Sequence, residues 1–330
     1  MLDLKSSEIN FAIQAVKQAS MLVQQIQTEL VSPALTKDDR SPVTVADFAS
    51  QALIVSLLKE TFPSGLLVAE EDSKALRSQN AGETLEKVTR FVNLVIPHTT
   101  PQTVCDWIDH GGANPTSRFW TLDPIDGTKG FLRGDQYAIA LALIVNGEVQ
   151  IGVLGCPKLV GAHLPSANGP GSLLVAALNQ GTWTTDLASP GSFDRLEVST
   201  RSNPAKARLL RSFEADHTNV SQIDEFSQAL GIQAEPVRMD SQAKYSVLAA
   251  GKGELLLRLL APSKEGYREK IWDQAAGSLI LEEAGGRITD LDGKLLDFQV
   301  GRSLVQNRGI LASNGALHEP ALRALRSIAA

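Results

Sequence analysis

The sequence predicts a layered α+β protein, on three observations. Strand pairs joined by tight turns dominate the first half, strand and helix patterns alternate in the second half, and helix patterns open and close the chain. The 330 residues suffice for one large domain or two modest ones. The stretch Ala188-Ser189-Pro190-Gly191-Ser192 is the expected boundary, dividing the chain into residues 1–190 and 191–330.

Residues 8–30 set Ile9, Ile13, Val16, Val23 and Ile26 near helical spacing and predict an amphipathic, core-packed helix. Residues 48–60 repeat the pattern with Ala49, Ala52, Leu53, Leu57 and Leu58. Just before them, Thr44 and Asp47 have the spacing of a capping pair. Asp47 therefore reads either as an acid favoured by the helix dipole or as a carboxylate able to take a proton from an attacking water. Residues 66–69 form a short apolar strand that ends in Glu70, Glu71 and Asp72. On a loop such acids are solvated charge; at the end of a buried strand they repel one another, and a bound cation relieves the repulsion. Residues 78–112 are polar and predict a helix followed by a variable loop.

Residues 119–122 predict a strand leading into Asp123-Pro124-Ile125-Asp126-Gly127-Thr128. If the strand ends at Leu122, Asp123 and Asp126 can both point into one cation site, and the amides of Gly127 and Thr128 are free to meet an anion. Asp-Pro and Asp-Gly are also common turn dipeptides, so alone the run fits an ordinary strand-to-turn junction. Residues 136–145 and 149–156 predict a hairpin about Asn146-Gly147, and 173–178 with 181–185 predict another, separated by a Pro/Gly-rich excursion. Residues 254–260 read as a strand carrying Arg258, which needs an anionic partner if buried: a bound anion, Glu254 or Glu265. Residues 270–286 predict a helix that stops at Gly285-Gly286, with Asp273 in its first turn beside Trp272 and the small residues Ala275, Ala276 and Gly277 allowing close packing. A last helix is expected at 319–328, and no internal repeat is visible.

Composition narrows the function classes. Hydrophobic residues make up 43% and charged residues 21%, as in soluble globular enzymes. A net charge of −6 without a basic run argues against a nucleic-acid binder. No stretch reaches the roughly 20 apolar residues of a membrane span. Only Cys105 and Cys156 are present, which makes neither a disulfide framework nor a zinc spacing. A reducing compartment is expected, with a Cys105–Cys156 bridge left open. The start lacks a signal-peptide pattern, so a cytoplasmic setting is expected, an organelle after transit-peptide removal remaining open.

Together, Asp-Pro-Ile-Asp-Gly-Thr at 123–128, the upstream pair Glu70-Glu71 and Trp-Asp-x-Ala-Ala-Gly at 272–277 resemble the signature of the magnesium-dependent, lithium-sensitive phosphatases of the inositol monophosphatase superfamily. The resemblance spans about residues 10–325. The runs 37–44, 129–135, 240–245 and 269–273 are similar to one branch, the 3'(2'),5'-bisphosphate nucleotidases of yeast and plant type. It implies a five-layer α/β/α/β/α sandwich, and hydrolysis of the 3'-phosphate of adenosine 3',5'-bisphosphate, a by-product of sulfate activation and sulfotransfer.

The resemblance further implies two or three Mg2+ ions. Glu70, Asp123 and the Ile125 carbonyl map onto the first metal, and Asp123, Asp126 and Asp273 onto the second. Most ligands then lie in 1–190, with Asp273 and the nucleotide pocket in 191–330. Glu71 maps onto a supporting position, and Ala69 replaces the family's usual glycine before the pair. Asp47 and Thr128 map onto the pair that orients and deprotonates the attacking water, and the amides of Gly127 and Thr128 onto a phosphate cradle. Ser241, Lys244, Arg258 and, more loosely, His217 map onto the nucleotide contacts. Lys129 and Arg133 either attract the anionic substrate or are solvated. The implied partner is a small nucleotide, with no nucleic acid or membrane; the sequence sets no oligomeric state and is compatible with a monomer. Action on the sulfated nucleotide, on inositol 1,4-bisphosphate or on an inositol monophosphate remains an alternative, as does a non-catalytic nucleotide sensor. The sensor would have no need of the water-activating pair.

Overall fold

A computed structural model describes residues 1–31, 41–78, 81–189, 191–213, 220–259 and 267–328. In chain order the elements are helix α1 (Ser7–Leu30), α2 (Ser41–Thr61), strand β1 (Leu67–Ala69), α3 (Gly82–Asn93), α4 (Pro101–His110), β2 (Arg118–Asp126), α5 (Thr128–Arg133), β3 (Ala138–Val145), β4 (Glu148–Cys156), the short pair β5 (Leu159–Val160) and β6 (Leu164–Pro165), β7 (Ser172–Ala177), β8 (Gly181–Asp186) and β9 (Asp194–Leu196). There follow β10 (Leu209–Arg211), α6 (Val220–Leu230), β11 (Val237–Arg238), α7 (Ala243–Ala249), β12 (Leu255–Arg258), α8 (Ala275–Glu283), β13 (Arg287–Thr289), β14 (Ile310–Ser313) and α9 (His318–Ser327).

Two sheets organise these elements. The first has seven strands in the order β1-β2-β3-β4-β7-β8-β9; the second has five, β11-β10-β12-β14-β13. Period-two alternation gives the first sheet two apolar faces. Trp120, Leu122, Ile139, Leu141, Leu143 and Val153 face a core shared with α1 and α2, whereas Phe119, Ala138, Ala140, Ala142 and Leu154 face a core shared with α7 and α8. The alanines on β3 and Gly152 on β4 let α8 approach closely: a Cβ at Gly152 would lie 2.7 Å from the Ala276 carbonyl oxygen. Leu210, Leu256, Ile288 and Ala312 of the second sheet close that same core from the far side. Its other face, with Leu209, Leu255, Leu257 and Leu311, packs on Phe226 of α6 and Leu322 and Leu325 of α9. The stack is thus helices, sheet, helices, sheet, helices: the five-layer α/β/α/β/α sandwich that the resemblance implies.

The hairpins fall where the turn chemistry places them, with Asn146 at φ 50° and Gly147 at φ 80°, the left-handed pair of a type I′ turn. Four expectations need correction. Helix α2 begins at Ser41, with no acid in its first turn; Pro42 is tolerated there because its missing N–H has no partner to lose. Asp47 lies one turn further in, so it is not half of a capping pair. The stretch 78–112 holds two helices, α3 and α4; Thr100 caps α4 by accepting the Thr103 N–H, and Pro101 follows at the first helical position. Strand β2 continues through Asp126 rather than ending at Leu122. Asp273 precedes α8, in a turn closed by Gln274 and Ala275 N–H donating to the Ile271 carbonyl. Cys105 and Cys156 are free, buried and in different cores. Among the described residues, no helix is long and apolar enough to cross a membrane.

Candidate active site

The parallel pairing of β1 with β2 starts the site. Ala69 faces Leu122, so the next residues, Glu70 just past the end of β1 and Asp123 still within β2, come side by side. Between Asp123 and Asp126 the ladder slips: Asp123 faces Ala140, and Asp126 faces Ala138. Three steps on β2 match two on β3, which is a β-bulge, and it accommodates Pro124, which has no N–H to give a ladder. In a regular strand, side chains three apart face opposite ways. The extra residue turns Asp126 to the Asp123 side, and both line one cavity of about 420 Å³ with Glu70 and Asp273.

Helix α2 braces this edge from behind. Ser50 Oγ donates to the Pro124 carbonyl at 3.1 Å, inside the bulge. Gln51 clamps the acidic loop: its Nε2 donates to the carbonyls of Glu71 and Ile108, each at 2.8 Å, and its Oε1 accepts the Glu71 N–H at 3.1 Å. Asp47 lies one turn before Gln51, beside Glu71 and Glu70, whose charges act on it. Thr128 opens α5 after Gly127, which has φ 95°. A Cβ on Gly127 would lie 2.8 Å from Ser241 Cβ, so glycine is required there both for its backbone and for the approach of the two halves. Thr128 lines the cavity, and Asp47 does not. No hydrogen bond joins Asp47 to Thr128 among the described residues.

The second half closes on the first through Gln242. Its N–H donates to Asp126 Oδ2 at 2.7 Å, its Nε2 to the Trp272 carbonyl at 3.0 Å, and its Oε1 accepts the Gly277 N–H at 3.2 Å. Ser241, at φ 65°, makes the bend that aims this N–H. Arg302 makes a second tie. It donates to the Ala69 carbonyl beside Glu70, packs its guanidinium 4.9 Å over the Trp272 ring, and its carbonyl accepts the Ile271 N–H.

The carboxylates disturb one another. Burial, then the charges of Glu71 and Asp126, pushes Glu70 up to about 7, against a side-chain hydrogen bond with Asp123 that favours its charge. Burial and the neighbouring acids also hold Asp123, Asp273 and Asp47 well above the usual carboxylate range. Asp123 Oδ1 is buried without a hydrogen-bond partner. Among the described residues no three His, Cys, Asp or Glu groups form a ready-made metal cage. Still, an orphaned buried carboxylate oxygen amid mutually repelling acids is a donor set that a hard divalent cation fits.

Cations line the same cavity as the acids. Lys244 is buried and donates to Ser212 Oγ at 3.1 Å; burial lowers it to about 8, with Asp126 acting to hold its charge. Ser241, Lys244 and Arg258 all line the cavity. Arg258 pairs with Glu269 at 3.0 Å. Glu254 is taken by Arg208 at 2.6 Å, so it is not the partner of Arg258, and Glu265 lies outside the described residues. His217 also lies outside them. Lys129 lines the cavity, whereas Arg133 pairs with Asp135 and Asp240 at its rim. The side chain of Ile125 belongs to the first core, which leaves its backbone to the cavity. Gln51, Gln242, Glu269 and Arg302 carry no motif of their own. The available signal is that Gln242 and Glu269 sit inside the runs 240–245 and 269–273.

Comparison with known proteins adds to this geometry. Residues 4–330 match the profile of the inositol monophosphatase family. A 3'(2'),5'-bisphosphate nucleotidase of Schizosaccharomyces pombe is 40% identical, over 98% of this chain and 96% of its own. One of Oryza sativa is 42% identical, over 97% of this chain and 94% of its own. Among solved structures, an IMPase of Thermotoga maritima superposes with a TM-score of 0.65 at 21% identity, covering 98% of both chains.

Proposed function

The chain belongs to the inositol monophosphatase family, and from that premise we propose that it is a phosphoric monoester hydrolase that removes the 3'-phosphate of adenosine 3',5'-bisphosphate, giving AMP and phosphate. The observation that carries this reading is a single cavity whose lining holds Glu70, Asp123, Asp126 and Asp273 together with the cations Lys244 and Arg258. A substrate with two phosphates matches this lining: one phosphate would be met by cations that the carboxylates hold, the other by Lys244 and Arg258. The near-full-length similarity to nucleotidases supports the same choice.

Members of this family are generally metal-dependent, and the ion proposed here is Mg2+, two or three per site. Glu70, Asp123, Asp126, Asp273 and the Ile125 carbonyl would hold the ions, with Glu71 in support. When bound, divalent ions acidify water, neutralise phosphate charge and stabilise a leaving alkoxide. The chain's own groups do the rest. Asp47, with the Thr128 hydroxyl, orients the attacking water and accepts its proton; the two are not hydrogen-bonded to each other among the described residues, and the link between them is expected to form around substrate and water. The amides of Gly127 and Thr128 hold the oxygens of the phosphate under attack. Ser241, Lys244 and Arg258 hold the nucleotide end, with His217 an added contact.

The test is phosphate release from adenosine 3',5'-bisphosphate with magnesium and with EDTA, the nucleotide product being identified by chromatography. Magnesium-dependent formation of adenosine 5'-monophosphate is expected. Release of the 5'-phosphate instead, or unchanged rates in EDTA, would overturn the proposal.

A further inference from the structure

Behind the cavity's cations runs a buried polar chain that the reaction above does not use. Arg258 Nη2 meets Glu269 Oε2 at 3.0 Å. The same oxygen accepts Gln274 Nε2 at 3.1 Å, and Gln274 Oε1 accepts the Tyr245 hydroxyl at 2.5 Å. Glu269 is 3% exposed, Gln274 0% and Tyr245 3%. The Arg258 side chain keeps 29% of its surface open and lines the cavity, of whose wall Glu269 is no part.

Arg258 has other acids to choose from. Among those acting on it, Glu269 acts most strongly, ahead of Asp273 and Asp126. Collapse of the guanidinium onto Asp273 or Asp126 would take positive charge away from the cavity and crowd the carboxylates. A fixed counter-charge behind the arginine prevents that. Glu269 is itself fixed: Gln274 holds its Oε2, and its own backbone carbonyl accepts the Leu304 N–H at 2.8 Å.

We propose that Glu269 is a positioning residue for specificity: it holds Arg258 toward the cavity and away from Asp126 and Asp273, so that the enzyme reads the second anionic group of its substrate. This rests on the substrate reading above. A substrate whose one phosphate is met by cations that the carboxylates hold does not call on Arg258, so loss of Glu269 should separate the two substrate kinds.

The experiment measures kcat and KM of the full chain with magnesium on adenosine 3',5'-bisphosphate and on adenosine 3'-monophosphate. Glu269→Gln should raise KM for the bisphosphate about 10- to 100-fold, with kcat nearly retained and the monophosphate constants changed less than about twofold. In an Arg258→Met background, adding Glu269→Gln should have no further effect. Glu269→Asp, which keeps the charge with a shorter reach, should give a smaller KM rise and serves if Glu269→Gln folds poorly. An equal loss of kcat on both substrates, or a KM effect that persists without Arg258, would overturn the inference alone. A wild-type enzyme that prefers inositol 1-phosphate would overturn the substrate reading and this inference with it, and that result is visible before any variant is made.

Discussion

The Gln242 N–H donates to Asp126 Oδ2 at 2.7 Å, and through this bond α7 carries the first sheet's bulge to the turn that bears Asp273. The side-chain amide of Gln242 completes the tie at the Trp272 carbonyl and the Gly277 N–H. Gln242→Ala keeps the backbone bond but strands two buried backbone groups, which should cost about 2–4 kcal/mol. Urea unfolding checks this, and turnover should fall more than about tenfold because the Asp273 turn loses its tether. Unchanged stability with unchanged turnover would show that Gln242 is not the link.

Asp123 has a buried, unpartnered Oδ1 among like charges. Asp123→Asn removes one charge from a repelling cluster, so the metal-free fold should be as stable as wild type or more so. Turnover should drop by roughly 10³-fold or more if this carboxylate helps to hold the ions. Phosphate release and a thermal melt of the same sample decide it; wild-type-like rates would remove Asp123 from the site.

Stability should depend on pH in a direction set by these acids. In the metal-free protein Glu70 titrates near 7, against an ordinary 4.5. The folded state then keeps a proton that the unfolded chain has released, so this contribution is full below about pH 4.5 and is lost as pH rises through about 7. Asp47, Asp123 and Asp273 shift in the same direction. In EDTA the melting temperature should therefore fall between about pH 5 and 8, by several degrees. Added magnesium should restore it more at pH 8 than at pH 5, because the cation binds the ionised acids of the folded state. Glu282, away from the cavity, also sits near 7, so Glu282→Gln should reduce the slope without changing the magnesium response. A melting temperature that rises with pH in EDTA would contradict the account.

Much of this site was legible in the sequence, and the illegible parts have identifiable causes. Asp123, Asp126, Glu70 and Asp273 each have an ordinary reading alone; the motifs taken together, in the order that resembles the family signature, single them out, and the structure brings all four to one cavity. The bulge in β2 was not legible: Pro124 signals a turn locally, but pairing with Ala140 and Ala138 keeps the strand going. The early start of α2 was hidden because the apolar pattern becomes regular only near Phe48. The pairing of Arg258 with Glu269 was not foreseen: of the partners weighed, Glu254, on the run leading into the same strand, is taken by Arg208, and Glu269 comes from the run that follows the strand. Tertiary contacts, rather than local propensity, decided each of these.

Lithium inhibition follows from the family resemblance and is testable apart from the residues. Lithium should slow turnover if it competes at a cation position formed by Asp123, Asp126 and Asp273. A titration at several magnesium concentrations measures it, and rates unchanged across the whole titration would speak against such a position.

The central claim is that one cavity reads two phosphates, and substrate preference tests it most directly. Initial rates with magnesium should be compared for adenosine 3',5'-bisphosphate, inositol 1-phosphate, inositol 1,4-bisphosphate and fructose 1,6-bisphosphate at equal, subsaturating concentration. A kcat/KM for the nucleotide at least about tenfold above that for inositol 1-phosphate is expected, since the second phosphate contact need supply only about 1.4 kcal/mol; a lead over the two other bisphosphates would come from the nucleoside end rather than from the second phosphate. A preference for an inositol phosphate would contradict it, leaving the carboxylate chemistry in place and removing Ser241, Lys244 and Arg258 from nucleotide recognition.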